Sequence, residues 1–139
     1  MPAPFRTTRR VEFCDTDAAG IAHFAAFFRY LEQAEHELLR SVGLSVHDHA
    51  TGIGWPRVSA KCDYRAPARF EEVLDIAVTI ARLGEKSVTY AATFTRGGQL
   101  IASGEITSVC CRVGDGGLPE SIPIPETFRA KLQGLASGG

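Results

Sequence analysis

The chain has 139 residues, 45% of them hydrophobic, which suits one domain with enough apolar content to bury a core. Its formal net charge of -1 excludes a bulk electrostatic attraction to nucleic acid or to an anionic membrane surface. No apolar run approaches the roughly 20 residues of a membrane span. The opening MPAPFRTTRR is followed by no apolar h-region, so no signal peptide is expected and the protein is read as cytoplasmic.

Residues 5–13 (FRTTRRVEF) predict a first strand with Val11 and Phe13 on one face, and residues 14–22 a loop bearing Asp15, Asp17 and Gly20. From Phe24 to Val42 the period becomes helical. Phe24, Phe27, Phe28, Leu31, Leu38, Leu39 and Val42 recur at three- and four-residue steps, opposite Arg29, Gln33, His36, Glu37 and Arg40, and Gly43 stops the run. LSVHDHATGIG reads as irregular. Residues 55–64 predict a strand with Pro56 near its start, which suits an edge or a strand entry. Residues 73–83 alternate well, residues 86–95 follow, Arg96-Gly97-Gly98-Gln99 makes a tight hairpin, and residues 100–113 form a long last strand. Gly114–Pro125 is a turn-rich exit, residues 126–135 a short terminal helix, and the closing SGG is expected to fray. One strand, one long helix and four strands on short turns imply a largely antiparallel sheet that buries one face on the helix. Cys14, Cys62, Cys110 and Cys111 show no C-x-x-C spacing and read as reduced, mostly buried thiols.

The chemistry concentrates in VEFCDTDAAGIAHF, residues 11–24. Two aspartates stand where a strand gives way to a helix, and Asp17 precedes Gly20 by three residues. Unpaired backbone N–H groups and the positive end of the helix dipole collect at such a place. A carboxylate can attack a carbonyl or activate water, and helix N–H groups can hold the resulting oxyanion, so one short segment can supply both halves of an acyl-transfer site. From residue type alone, Asp17 is more often an Asx-turn or capping residue than a catalytic one.

The run EFCDTDAAGIAHFAAFFRYLEQAEHELL, residues 12–39, resembles the 4-hydroxybenzoyl-CoA thioesterase-like branch of the hot-dog fold superfamily, whose D-x-D-x-x-G pattern falls on Asp15, Asp17 and Gly20. The strand layout through LGEKSV at residues 83–88 extends the likeness over most of residues 5–113. The resemblance implies an α+β hot-dog fold, a five-stranded sheet wrapped around one long helix, as a single domain over residues 1–139 with its core at 5–113 and a tail at 114–139. It implies subunits paired into a continuous sheet, dimers paired into tetramers, and hydrolysis of an acyl-CoA thioester without metal or organic cofactor. The resemblance reverses the order set by residue type alone: by it Asp17 is the catalytic carboxylate, as nucleophile or general base, and the thioester carbonyl meets backbone N–H groups near His23 and Phe24. Asp15 is read as holding the loop.

The helix departs from the family at Glu35, where an arginine is frequent. Glu35 falls near the centre of the apolar stripe and must be paired, protonated or at the active-site surface, which makes it a second catalytic candidate. Gly20 and Phe27 are expected to border the substrate, with Phe24 shaping an aromatic or short-to-medium acyl pocket. Among scattered cations, Arg82 and Lys86, with Ser87, are the candidates for the CoA phosphates, ahead of Arg57, Lys61, Arg65 and Arg96. His47 and His49 alternate as H-x-H but lack further ligands at recognisable spacing, so no metal site is expected. Two other functions use the same pattern. A hot-dog dehydratase or hydratase would employ His23, and a non-catalytic acyl-CoA-binding protein would ignore loss of Asp17.

Overall fold

The computed structural model describes residues 3–113 and 117–136. Its main sheet runs in the order β1-β5-β6-β7-β4, with every neighbouring pair antiparallel. The strands are β1 (Phe5–Arg10), β4 (Arg57–Tyr64), β5 (Val73–Leu83), β6 (Ser87–Arg96) and β7 (Gln99–Val109). Alternation decides which face is dry. Leu74, Ile76 and Val78 of β5, Val88, Tyr90, Ala92 and Phe94 of β6, and Ala102 and Ile106 of β7 are buried in one cluster with helix α1 (Ala26–Ser41). The helix answers with Phe27, Tyr30, Leu31, Ala34, Leu38 and Leu39. These are the three- and four-residue steps that the helical pattern predicts.

The elements differ from expectation at several ends, each for a local reason. β1 stops at Arg10, and Phe13 starts a single 3-10 turn, Phe13–Asp15, that leaves its ring 77% exposed rather than beside buried Val11. The long helix begins at Ala26, not Phe24, because the preceding backbone is pinned: Ala22 N–H donates to Ala68 O and His23 N–H to Asp15 O. At its other end Gly43 takes φ +77°, with Leu44 N–H on Leu39 O and Gly43 N–H on Arg40 O, a Schellman closure. Trp55 and Pro56 lie just before β4, which is an edge strand.

A second, four-stranded sheet was not foreseen. Its order is β2-β3-β8-β9, made of β2 (His47–Asp48), β3 (Ile53–Gly54), β8 (Cys111–Arg112) and β9 (Glu120–Ser121). Two-residue strands carry no periodicity, so the 44–54 stretch reads as irregular and β7 with β8 reads as one strand. Helix α2 (Glu126–Ala136) ends the described chain and buries Leu132. The turn-rich exit is described only from Gly117 onward, and the SGG end lies outside the described residues. All four cysteines are free. Cys110 and Cys111 are both buried, Cys62 is half-buried and Cys14 is exposed.

Candidate active site

The loop between β1 and α1 is bolted from within by Asp15. Its carboxylate accepts the Glu12 N–H at 3.0 Å and the Tyr30 hydroxyl at 2.9 Å, with Arg29 at 3.3 Å. Burial alone would raise the Asp15 carboxyl, but these donors favour the anion and hold it below the usual aspartate value. Burial, and then the facing Asp15 charge, push the Tyr30 phenol well above its ordinary value, so it stays a donor. Asp15 therefore secures the loop.

Two residues on, the environment reverses. Asp17 is half-buried; its Oδ1 accepts the Ala19 N–H at 2.8 Å, while Oδ2 has no hydrogen bond among the described residues. Its backbone closes a tight reversal, with Asp17 N–H on Ile21 O and Gly20 N–H on Asp17 O, and Thr16 bridges Ala22. Gly20 sits at φ +79° and makes that reversal possible, rather than lining a cavity. The Asp17 side chain borders a cleft of about 430 Å³ together with Ile21, Phe24, Phe27, Tyr64, Ala66 and Pro67. The rest of the wall is apolar or aromatic, and Asp17 is the one acidic or basic residue on it among the described residues.

Donors at the start of α1 are fewer than the sequence suggests. His23 N–H is engaged by Asp15 O at 2.7 Å, so it is not available to an oxyanion. Phe24 N–H has no partner among the described residues, and Phe24 lines the cleft beside Asp17. The His23 ring stacks on Phe24 with centroids 4.4 Å apart, and its Nδ1 accepts the Ala25 N–H at 3.1 Å. That contact requires an unprotonated Nδ1 and places the ring proton of the neutral form on Nε2.

The second carboxylate candidate does not reach this cleft. Glu35, 1% exposed, takes a bidentate grip from Arg57 at 2.5 and 2.6 Å, and Arg57 also reaches Ser108 Oγ at 2.6 Å. Glu35 thus meets its burial cost by pairing, between α1 and the β4 edge, and has Leu39, Trp55, Tyr90 and Phe128 for neighbours. Arg57 is its ion-pair partner rather than a free cation.

Arg82, Lys86 and Ser87 lie at the end of the sheet away from Asp17. The Asp17 loop bonds to residues 68–69, just before β5, whereas Arg82 is nine residues along that strand, about 30 Å away. One protomer therefore does not bring these groups to Asp17. Their turn is locked from the C-terminal side: Arg129 donates to Gly84 O and Glu85 O at 2.8 and 2.9 Å, and Ile124 N–H donates to Glu85 O. His47 Nε2 and His49 Nδ1 are 3.1 Å apart, but no third His, Cys, Asp or Glu joins them among the described residues. A larger groove, about 540 Å³, occupies the outer sheet face among Arg6, Lys61, Asp75, Thr93 and Glu105, away from the Asp17 cleft. Sequence reasoning did not single out Tyr64, whose hydroxyl reaches the helix start from the last residue of β4. One aromatic residue on an edge strand gives no local signal of such a contact.

Residues 11–132 match the thioesterase-like superfamily. The 1,4-dihydroxy-2-naphthoyl-CoA hydrolase of Synechococcus sp. (strain CC9605) is 34% identical over 104 residues, covering 70% of each chain. Among solved structures, a gentisyl-coenzyme A thioesterase superposes with a TM-score of 0.80 at 30% identity, covering 91% of this chain and 98% of its own. An aspartate-to-asparagine variant of 4-hydroxybenzoyl CoA thioesterase, complexed with 4-hydroxybenzoyl CoA, gives 0.80 at 25% identity, covering 91% and 96%. No helix among the described residues is long and apolar enough to cross a membrane.

Proposed function

The chain belongs to the thioesterase-like superfamily, as an acyl-CoA thioester hydrolase of hot-dog fold, and we propose that Asp17 and the Phe24 N–H are its catalytic pair. One observation carries this reading: Asp17 and Phe24 line the same cleft, and neither Asp17 Oδ2 nor the Phe24 N–H has a hydrogen-bond partner among the described residues. In the general-base route, Asp17 Oδ2 takes a proton from water as its oxygen attacks the thioester carbonyl. The Phe24 N–H donates to the tetrahedral oxyanion, and collapse expels CoA as thiolate, which needs no strong general acid. In the nucleophilic route, Asp17 itself attacks, thiolate leaves, and water hydrolyses the acyl anhydride. The two routes separate in one turnover in oxygen-18 water, because only an anhydride opened at the aspartyl carbonyl leaves label in Asp17.

The lining by Phe24, Phe27, Ile21, Ala66 and Pro67 suits a planar aromatic acyl group or a short-to-medium aliphatic one, and the aromatic thioesters named for the relatives favour the former. CoA itself is too long and too charged to end in this cleft. The exposed β4 edge, with Val58 62% exposed, suits pairing with a second copy into a continuous sheet, and dimers of that kind into a tetramer. Identical edges pair antiparallel. In that arrangement the Tyr64 end of one β4 meets the Arg57 end of the other, which adjoins Ser108 and the Ser87 turn. The partner's Arg82, Lys86 and Ser87 then lie near this chain's Asp17, where they can hold the CoA phosphates.

The test is release of free CoA across benzoyl, hydroxybenzoyl, phenylacetyl, short-chain and long-chain thioesters. Asp17→Asn and Asp17→Ala are expected to lower kcat by about 10²–10⁴-fold. Hydrolysis near the parental rate in both variants would refute the assignment.

A further inference from the structure

The oxyanion donor proposed above is a single backbone N–H on a residue outside the helix, so its direction depends on what holds the two peptides around Phe24. The first peptide, His23–Phe24, is held through its carbonyl, since His23 O accepts the Ala26 N–H at 2.9 Å. A trans peptide points its N–H opposite its carbonyl, so this bond turns the Phe24 N–H away from the helix. The second peptide, Phe24–Ala25, is held at both ends: Ala25 N–H donates to His23 Nδ1, and Tyr64 Oη donates to Phe24 O at 2.7 Å. Tyr64 comes from a different element, the last residue of β4, and its backbone is registered opposite Ala102 of β7. Its ring also packs edge-on against Phe27, with centroids 5.5 Å apart.

We infer that Tyr64 is a positioning residue for the thioesterase reaction: its hydroxyl, by clamping the Phe24 carbonyl, fixes the oxyanion-binding N–H of Phe24 relative to Asp17. The geometry separates this role from plain packing. The ring already rests on Phe27 and borders the cleft, whereas the hydroxyl meets a carbonyl that α1 leaves unengaged, one residue before its cap at Ala25. Tyr64 is 44% exposed, and partial desolvation, with Cys62 beside it, pushes its phenol up to about 12, so the group remains a donor throughout the neutral range. Without the hydroxyl, the Phe24–Ala25 peptide keeps only its His23 tie and can rock about the His23–Phe24 junction. Such motion weakens a contact made chiefly in the transition state and leaves ground-state binding almost untouched.

The inference rests on the catalytic reading of Asp17 and Phe24, and the experiment keeps the two apart. Tyr64→Phe preserves the ring and removes one oxygen. It is expected to lower kcat about tenfold with KM within about twofold. Amide hydrogen exchange should accelerate at Ala25 and Ala26, whose N–H groups are bonded to His23, and stay unchanged in the β5–β6 core. A kcat equal to the parent's, or unchanged exchange at Ala25 and Ala26, would overturn the role of Tyr64 while Asp17→Asn still lowers kcat by the large factor expected above. An active Asp17→Asn would instead remove the premise. If KM rises and kcat holds, Tyr64 contributes to substrate binding alone and the positioning role is lost.

Discussion

Asp15 and Asp17 sit two residues apart, yet one loop assigns them opposite conditions. Asp15 is buried under donors from Glu12, Tyr30 and Arg29, whereas Asp17 lines the cleft and its Oδ2 has no hydrogen bond among the described residues. Because the folded state holds the Asp15 carboxyl below its ordinary value of 3.8, its contribution to stability is complete above that value and fades as pH falls through the lower folded one. Asp15→Asn is therefore expected to lower the thermal midpoint at pH 7, and the gap from the parent should narrow below about pH 4; melting curves at pH 7, 4 and 3 check this. Glu35 offers a second test. Removing it as Glu35→Ala strands Arg57 against Ser108 and the more distant Glu32, so urea unfolding should show a loss of about 3 kcal/mol. The apolar stripe made it legible that Glu35 had to be satisfied. Its partner lies 22 residues away on β4, and no local pattern encodes that distance.

At the scale of elements, the long helix and the four later strands follow from period alone, and β5 was placed to the residue. The ends were less legible because hydrogen bonds from distant segments set them. Val11 N–H goes to Glu72 O and Ala22 N–H to Ala68 O, and these bonds hold back the start of α1 until Ala26. The other end of α1 was readable, because a glycine in the left-handed region is a local requirement. Gly43→Ala at φ +77° meets no severe clash, its nearest neighbour being Lys131 Nζ at 3.6 Å, so the cost is backbone strain. About 1 kcal/mol, or a few degrees in midpoint, is expected by calorimetry, with unchanged KM since the residue is remote from the cleft.

For the whole molecule, the proposed antiparallel pairing of β4 with a second copy would make each site a composite of two chains, and this has a consequence in mixtures. On that proposal Asp17→Asn is expected to inactivate the site to which its own chain supplies the loop, and Lys86→Glu to weaken CoA binding in the site facing it. Refolding the two variants together should restore up to about a quarter of parental activity, because half of the dimers are mixed and each mixed dimer holds one intact site. Assay at substrate concentrations below KM reads this out, and light scattering on the parent is expected to find dimers or tetramers with no stable monomer. Sequence by itself determined the local quantities of this protein: the alternating strands, the amphipathic helix and its glycine stop, the D-x-D-x-x-G loop, and with them the family. Those features depend on neighbours a few residues apart. Only the tertiary structure decided which groups remain free to act. His23 N–H is engaged by Asp15 O, Glu35 by Arg57 and the Phe24 carbonyl by Tyr64, while Asp17 Oδ2 and the Phe24 N–H have no partner among the described residues. Availability depends on partners brought together across the chain, and spacing along a sequence does not carry that information.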